Sequence, residues 1–431
     1  MQQEHQPFDV RIHLDPQATA GACIRVVGVG GGGSNAVNSM IRRGLTGVDF
    51  IVANTDAQAL ASSPAPTKIQ LGKQLTRGLG AGADPTVGQR AVEESIEEVR
   101  EALQGSDMIF VTAGMGGGTG TGAAPVIAQL GRELGALVVG IVTKPFKWEA
   151  RRRMQIVLEG IELLRRQVDA LIVIPNQRLM DIIEPTTSFI EAFQRVDDVL
   201  YNATRGIADI ISGNGYVNVD FADVRTIMKN KGDAIMGIGS ARGEFRAREA
   251  AINAINSPLL DGVSIAGAEG VLVNITARED VSMAEVGEAV QTIEEAAGDQ
   301  VNLIFGVVFN SDLEDTMMVT VVATGFNQAV AVDTRNAITI QPEATQTPNS
   351  HPQHEEQRIA ANGPAVVYPL AEQRPLPEAA PVGHAETAKY NTPAYLRRNS
   401  SVPLGSTTPH AGGTESKQPS DKPAFLRRIM D

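Results

Sequence analysis

The chain has 431 residues, with 50 acidic side chains against 37 basic ones, a formal net charge of −13 and a single cysteine. The lone Cys23 excludes a disulfide scaffold or a cysteine zinc cluster, and all six histidines lie before Leu14 or after Ser350, so none is left between for a catalytic triad or a histidine metal site. The charge excess falls entirely within residues 1–328, and a body this acidic repels nucleic acid, although backbone N–H groups can still hold a small anion. Residues 1–21 read as a flexible N-terminal arm. It shows no basic-then-apolar leader, and no run in the chain approaches a bilayer span, so a cytoplasmic protein without direct membrane insertion is expected.

From Ala22 the pattern is strand, loop, helix. CIRVVGVG reads as a strand, GGGG as a loop and SNAVNSMIRRG as a helix, with VDFIVANTD the next strand. TVGQRAVEESIEEVREALQG reads as one amphipathic helix with Val92, Ile96, Val99 and Leu103 on its apolar face. SDMIFVTAG is a strand, followed by a second glycine loop and the helix AAPVIAQLGRELG. ALVVGIVTKP and VDALIVIPN are further strands with a helix between them. Near-continuous apolar strands alternating with helices predict a Rossmann-like parallel α/β sheet covered on both faces, spanning residues 22–186.

A long central helix is expected over 187–213. Thr187 or Ser188 caps its start, Gly213 suits the position after its end, and Phe189, Phe193, Val196, Leu200, Ala203, Ile207 and Ile210 form its stripe. Such a helix runs about 35 Å, enough to cross one domain and join another. Residues 214–326 then read as a smaller α+β domain: helices at ADVRTIMKN and SMAEVGEAVQTIEEAAG, and strands at DAIMGIGSA, GVLVNITA, VNLIFGVVF and MMVTVVATGF. After Phe326 the chain turns to Pro, Gln, Thr, Ser and Ala, and 13 of the 23 prolines lie beyond residue 340. That composition predicts a disordered linker over 327–420, then a terminal peptide at 421–431. PAYLRR at 393–398 returns as PAFLRR at 423–428.

Chemistry enters at the two glycine loops. Gly28-Val29-Gly30-Gly31-Gly32-Gly33 matches G-x-G-x-x-G between a strand and a helix, a pattern compatible with a nucleotide or with a plain structural turn. The acid that a dinucleotide site wants after the second strand is ambiguous at Asn54-Thr55-Asp56. The second loop, Gly114-Met115-Gly116-Gly117-Gly118-Thr119-Gly120-Thr121-Gly122, also lies between strand and helix. Two such loops at one edge of a parallel sheet can surround a polyphosphate with amide donors, to which Thr119 and Thr121 add hydroxyls. No G-x-x-x-x-G-K-[ST] occurs, which excludes a P-loop.

GGGTGTG at 116–122, with GVGGGGSNAVNSMI, NTDAQAL, TRGLGAGADP, VTKPF and NVDFADVR, closely resembles the tubulin/FtsZ family of GTPases, and within it the bacterial cell-division branch. The resemblance runs continuously over about 22–326, and PAFLRR extends it. It implies a GTP/GDP site in which Gly31, Gly32, Gly33, Ser34 and Asn35 line the first loop and Gly118, Thr119 and Gly120 hold phosphates. Many relatives carry another residue at Ser34. Thr143, Pro145, Glu149 and Arg153 would approach the ribose and phosphates, and Asn176, Phe193 and Asp197 the base, with Phe193 stacked on it. A carboxylate can accept from both N1–H and the 2-amino group of guanine, a pair that adenine does not offer. On residue pattern alone, Asp197 and Asp198 fit a solvated helix surface, and Arg151 to Arg153 a charged helix face.

The resemblance further implies that Asn218, Asp220 and Asp223 enter the nucleotide site of the next subunit, where the two acids orient the attacking water. The same residues fit a helix start, with Asp220 as cap and Asp223 reinforcing it, and the two roles are compatible. Mg²⁺ would be held mainly by the nucleotide, with no dedicated protein metal site. A split site implies head-to-tail homopolymers, because such a contact does not close. The implied role is a cytokinetic ring at mid-cell, tethered by FtsA-like or other membrane-tethering division proteins through Phe425, Leu426, Arg427 and Arg428, with Tyr395, Leu396, Arg397 and Arg398 as a second copy. Competing readings are a tubulin-like paralogue acting in cell shape, a dinucleotide-dependent oxidoreductase, and a nucleotide-binding scaffold without hydrolysis.

Overall fold

The computed structural model describes residues 21–149, 151–180, 186–212 and 215–326. Most of the expected arm, Gly213, the linker and both tail copies lie outside the described residues. The elements run β1 (Ile24–Val29), α1 (Gly30–Arg42), β2 (Asp49–Asn54), α2 (Ala57–Ser62), β3 (Thr67–Gln70), α3 (Lys73–Thr76), α4 (Pro85–Glu94), α5 (Ile96–Leu103), β4 (Met108–Gly114), α6 (Thr119–Glu133), β5 (Leu137–Lys144), α7 (Arg151–Arg165), β6 (Ala170–Pro175) and α8 (Asn176–Leu179). There follow α9 (Phe189–Ile211), α10 (Phe221–Met228), β7 (Gly232–Arg242), α11 (Arg246–Ile255), β8 (Gly270–Ala277), α12 (Met283–Ala297), β9 (Asn302–Phe309) and β10 (Thr316–Thr324).

The ten strands form one sheet in the order β3-β2-β1-β4-β5-β6-β7-β10-β8-β9. β3 to β7 along this order are parallel, and β10 runs antiparallel to both its neighbours. The strands of the two expected domains thus join in one sheet, through a β6–β7 pairing of three residues. Alternate residues of β1 and β4 enter opposite cores. Val26 and Phe110 pack beneath α1 and α9, while Val27, Ile109 and Val111 pack beneath the α4–α7 side. A third core lies between β7–β10 and the α11–α12 pair.

α9 begins with a capping box: Ser188 Oγ accepts from Glu191 N at 3.2 Å while the Glu191 carboxylate accepts from Ser188 N at 2.9 Å. Its stripe is buried from Val196 through Leu200, Ala203 and Ile207 to Ile210. The first two expected members leave the core, with Phe189 67% and Phe193 36% exposed, and join an aromatic group with Phe146 and Trp148.

Two further expectations are revised. The single amphipathic helix over 86–105 breaks at Ser95, whose Oγ accepts from Gly72 N at 3.2 Å and donates to Gln70 O at 3.3 Å, tying the break to β3. The first glycine run is not a loop: β1 passes directly into α1 at Gly30, whose φ of +69° makes the turn.

Candidate nucleotide cleft

The chain segments leaving β1, β2, β4, β5 and β6 all end at one sheet edge and enclose a cleft of about 470 Å³. This is the carboxyl edge of the parallel strands, and β1 beside β4 is where strand order reverses, the position at which open α/β sheets bind ligands. α1 and α6 start there from opposite faces of the sheet and touch. A Cβ on Gly30 would stand 2.7 Å from Gly120 N. Two sets of unpaired helix-start N–H groups, each at the positive end of a macrodipole, therefore share one space.

Thirteen expected nucleotide residues line this cleft: Gly31, Gly32, Asn35, Gly118, Thr119, Gly120, Thr143, Pro145, Glu149, Arg153, Asn176, Phe193 and Asp197. Gly33 and Ser34 do not. Gly33 packs under the strands, where a Cβ would come 2.3 Å from Thr112 O. Ser34 is 2% exposed and its hydroxyl donates to Gly30 O at 2.7 Å, so the pair shapes the turn beneath the cleft. The Thr121 hydroxyl also points inward, accepting from Gly116 N at 2.8 Å, which leaves Thr119 as the loop's hydroxyl facing the cleft.

The second strand supplies lining that the residue reading left unassigned. Asn54, Thr55 and Asp56 border the cleft, and Thr55 Oγ1 lies 2.6 Å from Thr119 Oγ1. Gly80, Ala81 and Ala83, within TRGLGAGADP, form part of the rim. The signal was positional: residues at the carboxyl end of any strand next to β1 face the same edge.

The site fits a nucleotide on its own atoms. Gly31 and Gly117 carry no neighbour where a Cβ would stand, so their backbone is open to the cleft. Asn176 is 5% exposed, yet its Oδ1 has no hydrogen-bond partner, an orphan that a ligand donor would satisfy. The lining carries three carboxylates. Asp56 caps α2, accepting from Gln58 N at 2.8 Å and Ala59 N at 3.2 Å. Glu149 accepts from Phe146 N at 2.9 Å and pairs with Arg153 at 2.8 Å. Asp197 is different: burial, and then the charge of Asp198 beside it, push its carboxyl up to about 6 against opposing pulls from Arg42 and Arg43. Phe193 meets Phe146 edge-on, with centroids 5.5 Å apart, and Trp148 stacks on Phe146 at 5.3 Å, next to the cleft wall.

Asn218, Asp220 and Asp223 are exposed and absent from this lining. Asn218 Oδ1 accepts from Gly215 N at 3.0 Å, and Asp220 Oδ1 accepts from Ala222 N at 3.1 Å as the cap of α10. Two internal rulers place them at the far edge of the sheet. Val219 N donates to Ile210 O at the end of α9, thirteen residues and about 20 Å beyond Asp197. Arg225 of α10 donates to Gly135 O, before the start of β5, while Thr143 at the end of β5 borders the cleft, about 26 Å along the strand. Within one chain, then, the acids cannot reach the cleft.

Two family models match the chain: the Tubulin/FtsZ family GTPase domain over residues 23–184 and the FtsZ family C-terminal domain over residues 232–327. Among solved structures, the chain is similar to an empty FtsZ dimer from M. jannaschii, with 43% identity over 72% of this chain and 93% of that one, and a TM-score of 0.69. It is also similar in fold to CetZ2 from Haloferax volcanii in a GTPγS-bound protofilament, with 22% identity over 71% of this chain and 94% of that one, and a TM-score of 0.61.

Proposed function

The chain belongs to the tubulin/FtsZ family of GTPases, and from that premise we propose that it is a filament-forming GTPase of bacterial cell division whose active site is completed only between subunits. The observation that carries this reading is the separation of a finished cleft from exposed acids at the opposite sheet edge. A head-to-tail contact brings the two edges together, and because it is heterologous it propagates.

The chemistry follows from the residues. The starts of α1 and α6 hold the phosphates with backbone N–H groups and dipole, and exclude the need for a P-loop lysine. Asp197 accepts from N1–H and the 2-amino group of guanine, Asn176 Oδ1 takes a further donor, and Phe193 supplies a face for stacking. Mg²⁺, held mainly by the nucleotide, would neutralise phosphate charge when bound. Asp220 and Asp223 of the next subunit, with Asn218, orient the attacking water toward the terminal phosphate. Phosphoryl transfer depends chiefly on such positioning and charge management. The Asp220 cap on α10 keeps both acids in place before contact.

The match to the FtsZ family C-terminal domain and the 43% identity to an FtsZ support the division role. No helix among the described residues is long and apolar enough to cross a membrane. The PAFLRR peptide is the basis for attachment at mid-cell through FtsA-like or similar tethers. Phe425 and Leu426 act as their apolar anchors and Arg427 and Arg428 as charged contacts, with 393–398 as a second docking copy. The copies start 30 residues apart, and deleting 393–398 should lower avidity for a clustered tether while leaving the affinity for a single one near normal.

The test of the whole reading is GTP turnover per subunit against protein concentration, with light scattering alongside and ATP as control. Turnover near zero below a threshold, rising together with scattering, is expected. Constant turnover per subunit from the lowest concentration would mean that one chain holds the complete active site.

A further inference from the structure

Asp197 has a carboxylate neighbour. Asp198 follows it on α9, and adjacent carboxylates oppose each other's ionisation. Only Asp197 lines the cleft. Asp198 is held on its other side: Arg43, just past the end of α1, binds its Oδ1, and Arg195 lies 3.6 Å from its Oδ2. Arg43 is itself clamped. Its guanidinium carbon stands 5.1 Å from the centroid of Tyr201, a buried ring whose hydroxyl accepts from Arg205 Nη1 at 3.2 Å. Arg205 is fixed in turn by buried Asp209 at 2.8 Å. A cation stacked on an immobilised ring and paired with a carboxylate is a fixed charge rather than a waving surface arm.

We propose that Arg43 is a positioning residue for guanine recognition: it draws Asp198 toward α1 and balances its charge, leaving Asp197 as the carboxylate presented to the base. This rests on the guanine reading of the cleft. Arg43 does not line the cleft and so acts through Asp198.

The charged groups around Asp197 define what its loss would do. α1 contributes Arg42 and Arg43, and α9 contributes Asp198. The cleft wall opposite carries Asp56 and the Glu149–Arg153 pair, and α8 carries Arg178, which is engaged with Asp261. Burial and Asp198 favour the protonated carboxyl, while Arg42 and Arg43 favour the ionised one. Without Arg43, one counter-charge disappears and the Asp198 charge is left less balanced. A protonated Asp197 presents a donor where guanine also presents donors, and binding weakens.

The experiment is calorimetric titration of GDP from pH 5 to pH 8 on the full chain. It compares wild type, Arg43→Gln, Arg43→Lys, Asp198→Asn and the Arg43→Gln/Asp198→Asn double variant, each checked for folding by thermal melt. Wild-type affinity should fall with acidity around a midpoint near 6, the value to which the Asp197 carboxyl is raised. Arg43→Gln should move that midpoint up by about one unit, making GDP about fivefold weaker at pH 6 and about tenfold weaker at pH 5, with near-normal affinity at pH 8. Arg43→Lys should keep most of the wild-type profile. Asp198→Asn should lower the midpoint alone and restore it in the double variant, which a merely structural loss at Arg43 would not allow. An unmoved midpoint in Arg43→Gln, an equal loss at every pH, or failure of Asp198→Asn to restore binding would overturn the proposal. A wild type that does not distinguish GDP from ADP would overturn the guanine reading and this inference with it. A guanine-specific wild type with an unmoved Arg43→Gln midpoint would overturn the inference alone.

Discussion

At the cleft, backbone amides from two helix starts, an orphaned Asn176 oxygen and the raised Asp197 carboxyl of α9 converge on one space. At the acid loop, Asn218 and Asp220 satisfy their own backbone, Asp223 faces outward, and the loop adds nothing to the cleft. The first region is finished within the chain and has polar atoms waiting for a ligand. The second has exposed carboxylates that do not line that cleft. On the proposed reading, binding is a property of one subunit, whereas hydrolysis belongs to the junction of two. About 20 Å of α9 separates Asp197 from the acids. That distance is what the proposed division of labour rests on.

The largest effect that would sharpen this contrast is expected from Asp223→Ala. GTP turnover should fall about a thousandfold, while GTP affinity stays within about twofold, because the acid lies outside the cleft that binds. Parallel loss of affinity, read by calorimetry, would break the separation. Asp197→Asn comes next. Replacing an acceptor pair by an amide should weaken GDP about a hundredfold and raise affinity for xanthosine diphosphate, whose 2-carbonyl accepts where guanine donates. A competition titration between the two nucleotides decides it.

Acidity should act on the cleft. With the Asp197 carboxyl raised to about 6, GDP affinity is expected to drop about tenfold from pH 7 to pH 5. The sign for stability is opposite to that of a salt-bridged acid. The folded chain holds this proton more tightly than the unfolded one, so the contribution of Asp197 to stability declines as pH rises from about 4 to about 6. A nucleotide-free melting series across that range, compared between wild type and Asp197→Asn, should show the difference. The smallest effect concerns loop shape: Thr121→Val leaves Gly116 N without its acceptor and should cost about 1–2 kcal/mol, read as a lower melting temperature.

Much of the parallel half was legible in sequence because β1, β4, β5 and β6 are nearly continuous apolar runs buried on both faces. Elements that carry little hydrophobic signal went unread. α11 buries Ala247, Ala250, Ala251 and Ala254, a face too small to stand out as a stripe, and β3 is the edge segment Thr-Lys-Ile-Gln. Ser95 looked like one more polar residue on a helix, and only its bonds to Gly72 and Gln70 make it a break. At the site, glycine spacing located both glycine runs, though the first proved to be a helix start, and which hydroxyl faces the cleft depends on Thr121 bonding back to Gly116, a contact that spacing does not encode. The capping role of Asp220 was equally legible, since it is local. Its distance from the cleft was not, because that depends on how α9 crosses the sheet.

The central claim is most directly tested by mixing two inactive variants, Asp197→Ala and Asp223→Ala, each with one intact half of the site, and measuring GTP turnover with co-pelleting to show that they share filaments. Junctions that pair the cleft of the second variant with the acid loop of the first are complete, so an equimolar mixture should recover up to about a quarter of wild-type turnover by random neighbour statistics. Turnover that remains at the sum of the two separate variants, in filaments containing both, would contradict a site shared between subunits.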